Sequence, residues 1–140
     1  MAVRKRASAM TVVEQNRFKN VITNLINAPG DPNPYGSLVG HHANHIHNMH
    51  PFMGPVATQR FFPWHRVYVL KVEQMGQAID PLFFVPYWRW TTQREVTPWL
   101  VSFKPTVNKV GKSWGQVLKS WGQKSWGQVL QSYISLFRPL

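Results

Sequence analysis

The chain of 140 residues contains no cysteine. That excludes disulfides, thiolate metal sites and cysteine nucleophiles, so any metal must be held by histidine, carboxylate or methionine. Acids are nearly as scarce: Glu14, Asp31, Glu73, Asp80 and Glu95 stand against 16 Lys and Arg, a net charge of +11. Five scattered acids form no catalytic carboxylate pair, and neither a glycine-rich phosphate loop nor a Ser-His-Asp order is present. The longest apolar runs, Leu82–Pro86 and Val67–Leu70, fall far short of a membrane span. Glu14, Arg17 and Lys19 occupy the place of a signal peptide's apolar core, so the sequence-based expectation is a cytoplasmic protein. The chain is rich in other things. It is 44% hydrophobic and 14% aromatic, which is the composition of one globular domain rather than of a disordered chain.

Periodicity predicts an all-α fold with long loops. Thr11 and Glu14 make a capping box, after which Phe18, Val21, Ile22 and Leu25 recur at helical spacing, so a first helix is expected over 11–27. Pro29–Gly36 reads as a loop. A second helix is expected from Ser37 to about Met49, where Pro51 ends it. A third is expected to begin at His65, with Tyr68, Val69, Val72, Met75 and Ile79 on its face and Asp80-Pro81 at its end. Leu82–Trp90 reads as buried extended chain or loop. Residues 1–100 are expected to form the helical domain and 101–140 a basic, Trp-rich tail with six basic residues and no acid. Within the tail, KSWGQVL, KSWGQ and KSWGQVL follow one another over 112–130, too short a repeat for a solenoid and readable as an amphipathic helix. Its charge is compatible with nucleic acid or an acidic membrane surface without favouring either.

All six histidines lie within 41–65, and five of them (His41, His42, His45, His47 and His50) fall in ten consecutive residues. Neutral imidazole is the commonest ligand for Cu, Zn, Fe and Ni, so the cluster points to a metal site, against a plain polar surface run. On a helical wheel His42 and His50 share the apolar side with Val39 and Ile46. His41 and His47 fall to the flanks or the opposite side, and His45 is intermediate. His42 and His50 are roughly 12 Å apart on a straight helix, and Pro51 lets His50 turn inward from the loop. His65 shares a face with Val69, Val72 and Gly76. Three inward imidazoles would leave an open coordination position, as catalytic metals need. Asn44 and Asn48 are candidate acceptors behind them. Met49, Met53 and Met75 read as packing. Phe61, Phe62, Trp64, Tyr87, Trp88 and Trp90 read as core more than as a ligand pocket, and Arg66 is expected to pair with Glu73 or Asp80.

The run Arg60-Phe-Phe-Pro-Trp-His-Arg66, then Tyr68 and Glu73, then Val85-Pro-Tyr-Trp-Arg-Trp90, resembles the first copper-site (CuA) half of the tyrosinase and catechol oxidase family. The resemblance implies a tyrosinase-like, partial helical bundle and a copper cofactor. It also implies oxidation of phenols or o-diphenols to o-quinones with O₂. By the same resemblance His65 is the third copper ligand, His42 the first and His50 the second, with His47 as its rival. Three positions depart from the family pattern: Val56 stands where a ligand often lies nine residues before the Pro-Trp-His histidine, Arg89 replaces the usual Asp, and no histidine follows His65 to bind a second copper (CuB). A homodimer bringing two such sites together would answer the last departure and cover exposed helix faces. The competing reading is a non-catalytic, basic helical module that binds anionic partners through its C-terminal tail.

Overall fold

The computed structural model describes residues 3–30, 32–43, 55–89, 91–93 and 95–108. The predicted continuation of the second helix beyond Ala43 falls outside these residues. So do His45, His47, His50, Asn44, Asn48, Trp90 and the repeats over 112–130. The described chain is all-α: a 3₁₀ turn at Ala7–Ala9, then α1 (Val12–Asn27), α2 (Pro34–Ala43), α3 (Pro55–Gln77) and the short α4 (Pro98–Val101). Among the described residues the only strand-like pairing is one parallel bridge between Arg6 and Tyr87. No described helix is long and apolar enough to cross a membrane.

α1 forms as its local code dictates. Thr11 Oγ1 accepts from the Glu14 amide, and the Glu14 carboxylate accepts from the Thr11 amide at 2.9 Å, which satisfies two of the donors a helix start leaves open. Phe18, Val21, Ile22, Leu25 and Ile26 then bury one side. The helix stops at Ala28-Pro29-Gly30, where Gly30 takes φ of 104°, a conformation that disfavours any side chain.

α2 begins three residues earlier than its sequence suggests. Pro34, loop-like by its sequence context, occupies the first helical position, where its missing N–H costs nothing. Asn33 supplies the cap: its Oδ1 accepts from the Gly36 amide at 2.7 Å. Its Nδ2 donates to the carbonyls of Leu25, Ile26 and Ala28 at 3.2, 3.0 and 3.0 Å. With 0% exposure, this one side chain joins the end of α1 to the start of α2. It therefore fixes the direction in which α2 carries His42.

α3 also starts before the expected boundary. Pro55 opens it, and Pro63 lies inside rather than at its start. His65 is accordingly in the middle of a long helix, not at its first turn. The proline withholds one ladder hydrogen bond, a loss that the inward stripe Phe61, His65, Tyr68, Glu73 and Gly76 outweighs by burial. The helix closes at Gln77, and the Asp80 carboxylate caps the following turn by accepting from the Leu82 amide at 2.9 Å.

α1, α2 and α3 pack against one another in all three pairings. Phe18 is central to the core. It stacks on Phe83 at 5.8 Å and meets the edges of Trp99 and Phe103 at 5.8 and 6.3 Å. Pro81 and Leu82 form a turn and 83–89 continue without helix; Phe83 and Phe84 are buried, but Leu82, Tyr87 and Arg89 are exposed, so this stretch is buried only in part. Residues 98–108 lie against the same core: Leu100 and Phe103 are buried, Trp99 donates to the Ala7 carbonyl, and Asn27 holds the backbone of Thr106 and Asn108.

The expected pairing of Arg66 with Glu73 or Asp80 does not occur. Arg66 is exposed, while Arg17 holds Asp80 at 2.7 Å and Arg4 holds Glu73 through Nε and Nη2, the latter at 2.6 Å. Glu73 faces the core, so only a cation arriving from a distant segment can reach it. Burial pushes its carboxyl pKa up, but the Arg4 bonds and the Val85 amide outweigh that, and the net displacement is downward. A depressed folded pKa means the stabilisation is present above the unfolded value, about 4.3, and is lost as pH falls through the folded value. Arg4→Ala should thus destabilise the fold by about 1–2 kcal/mol at pH 7. In urea unfolding the gap from the parent should narrow steadily below about pH 4; a gap that stays constant to pH 2 would contradict this account of Glu73.

Candidate metal centre

Of the expected ligands, the structure brings two together. His42, near the end of α2, and His65, in the middle of α3, place their Nε2 atoms 3.3 Å apart, with the rings nearly perpendicular at 84°. His65 is buried and His42 half-buried. Among the described residues no group of three or more metal-ligating side chains assembles. His47 and His50, the candidates for a third ligand, lie outside those residues. His41, placed on the flank by its wheel position, is exposed and lies over the Trp64 ring at 6.1 Å.

The protonation of His65 follows from its neighbour. Its Nδ1 lies 2.7 Å from the Phe61 carbonyl oxygen one turn earlier. A carbonyl only accepts, so Nδ1 carries the proton and Nε2 presents its lone pair towards His42. A backbone acceptor behind a ligand imidazole fixes both its tautomer and its ring orientation. Sequence reasoning looked for this acceptor in side chains, at Asn44 and Asn48. The spacing of four residues between Phe61 and His65 on a continuous helix is the signal that could have found it, and taking His65 as the helix start hid it.

The separation of the two nitrogens suits a shared ion. Two imidazole nitrogens each about 2.0–2.1 Å from one metal at a tetrahedral angle lie about 3.3 Å apart. The donor set available, imidazole without thiolate, suits copper, zinc, iron or nickel rather than a hard cation.

Aromatic rings wall the pair. Trp64 stacks on Tyr68 at 5.4 Å, Tyr68 lies 5.1 Å from His42, and the Phe61 ring lies 4.3 Å from His65. Trp64 packs against both histidines, at 5.8 Å from His42 and 4.7 Å from His65. Burial raises the Tyr35 phenol well above its ordinary pKa, with the neighbouring Tyr68 adding to it, so this tyrosine brings no negative charge. Phe62 and Tyr87, by contrast, are exposed.

Comparison with known proteins places the chain by sequence. A family model described as the common central domain of tyrosinase matches residues 32–134. A stretch of 32 residues, 23% of this chain and 10% of the relative, is 59% identical to grixazone synthase of Streptomyces griseus. The tyrosinase of Streptomyces galbus is 32% identical over 107 residues, covering 69% of this chain and 35% of that protein. Hemocyanin 2 of Megathura crenulata is 26% identical over 108 residues, 71% of this chain and 3% of that protein. The chain spans about a third of the length of the tyrosinases it matches. No solved structure matches it.

Proposed function

This chain belongs to the tyrosinase family, and from that premise we propose that it is a copper-dependent oxidoreductase turning phenols or o-diphenols into o-quinones with O₂. The copper ligands in this reading are His42, His65 and a third imidazole, His50 in preference to His47. The observation that carries it is the 3.3 Å meeting of the His42 and His65 Nε2 atoms, with His65 Nδ1 held by the Phe61 carbonyl. Bound there, copper supplies a one-electron redox couple and a site for O₂. The chain's own residues do the rest. Phe61 holds the His65 proton on Nδ1 and so keeps Nε2 available to the metal. Trp64 and Tyr68 exclude water from one side of the pair, and the half-buried Trp64 offers flat apolar surface to an aromatic ring.

Among these 140 residues His42, His65 and the third imidazole make one three-histidine site. In this proposal a second copy of the chain supplies the second, through the side of the molecule that bears His42. The assignment of the third ligand is tested by copper titration of two variants. His50→Ala should lose stoichiometric copper and quinone formation from catechol, while His47→Ala keeps both; the reverse result would move the ligand to His47, and copper retained by both variants would contradict a three-histidine site of this composition.

A further inference from the structure

Independently of the copper reading, we infer that the solvent side of α3 is a docking surface for an amphipathic helix of another polypeptide whose flanks are acidic. α3 turns Phe61, His65, Tyr68, Glu73 and Gly76 inward. On its opposite side Val56, Pro63 and Leu70 recur every seven residues with Val67 beside them, all within a sector of about 60° at 100° per residue. These side chains face solvent: Val56 is 56% exposed, Val67 53% and Leu70 46%. An apolar strip along one side of a helix, here with the exposed Gln74 among its members, is a seam on which a second helix can pack.

The charges beside the seam identify its occupant. Arg66 borders it on one side, Arg60 and Lys71 on the other, and all three are exposed. The only acid of α3, Glu73, is turned to the core and held by Arg4. Three cations with no anion among them select a partner whose seam is edged by carboxylates, since flanking charges set partner choice in paired helices. Along this seam a second copy of the chain would set Arg60, Arg66 and Lys71 against their own counterparts. The segment 109–140 is equally unsuited, for it carries Lys109, Lys112, Lys119, Lys124 and Arg138 and no acid. A lipid surface takes a broad apolar face, whereas this seam is a narrow strip of mostly β-branched and small side chains.

Two synthetic three-heptad peptides test the proposal on the full chain by fluorescence anisotropy. Both carry a leucine seam; one is flanked by Glu and its twin by Lys. The Glu peptide should bind at least about tenfold tighter than the Lys twin at low salt, with the advantage shrinking as salt rises. Val67→Asp with Leu70→Asp should remove binding, and Arg66→Glu with Lys71→Glu should reverse the preference. All four residues are exposed, so circular dichroism should show unchanged helix in both variants. Equal affinity for the two peptides, absence of binding, or binding that survives both variants would each overturn the proposal. So would a chain that binds phosphatidylglycerol vesicles through Val67 and Leu70 and ignores the Glu peptide.

Discussion

His65→Ala should lower copper affinity by at least about a hundredfold and abolish quinone formation from catechol. Residues that only support a metal ligand already cost about 10–100-fold when removed, and a ligand itself costs more. The substitution takes away an imidazole whose tautomer is fixed by a backbone carbonyl, leaving His42 without the nitrogen that faces it at 3.3 Å. It also empties a buried position at 7% exposure, so a moderate loss of stability accompanies the loss of metal. The control is His41→Ala. His41 is adjacent in sequence but exposed on the flank of α2, and its removal should leave copper binding within about twofold of the parent, since an exposed side chain that is not itself a ligand contributes little. Equal losses in the two variants would mean that the histidine run acts as a diffuse polar patch rather than as a site.

Gly76→Ala should destabilise the fold although it adds a single methyl group. A Cβ at Gly76 would fall well inside contact distance of the Phe83 ring, with even Cγ at 2.9 Å. Phe83 has no room to retreat: it is 0% exposed and stacked on Phe18. In a helix interior alanine gains up to about 1 kcal/mol over glycine. Overpacking a close-packed core costs about 1–3 kcal/mol and sometimes more, so the clash wins. Thermal unfolding should show a melting temperature lower by several degrees, at ~3–4 °C per kcal/mol for a chain of this size. Gly40→Ala makes the contrast, because nothing lies within 4 Å of its Cβ position and only the propensity gain remains. The same substitution in two helices should thus move stability in opposite directions. Gly76→Ala paired with Phe83→Leu should recover part of the loss; no recovery would place the strain elsewhere.

The parts of the fold that the sequence discloses are those set by neighbours in the chain. α1 is legible from end to end because its cap, its apolar spacing and its stop all lie within 11–30. The start of α2 is hidden because a proline-rich stretch looks like a loop until Asn33 is seen bonding to the end of α1. α3 is misjudged by ten residues for a related reason. Pro63 is a helix breaker by local rules, but the inward stripe from Phe61 to Gly76 gains more from burial than one ladder bond costs. α4 carries too few residues for a periodic signal.

The site divides in the same way. His42 and His65 are identifiable from wheel position and from the residues around Pro63-Trp64-His65, and the structure brings them together. The fixing of His65 by Phe61 depends on helix continuity and so escapes a reading that begins the helix at His65. The partner of Glu73 could not be found locally, since Arg4 arrives from 69 residues away. Charge alone offered Arg66, seven residues off, but orientation into the core decides which cation can reach the carboxylate.

The central claim, one copper ion held by three imidazoles, is tested most directly by elemental analysis of the reconstituted chain combined with electron paramagnetic resonance of its Cu(II) form. The account predicts about one copper per chain at full loading and, at a loading low enough that paired sites rarely both hold Cu(II), superhyperfine structure from about three imidazole nitrogens. Retention of no copper, or a signal with a single nitrogen ligand, would contradict it and turn attention to the basic C-terminal tail.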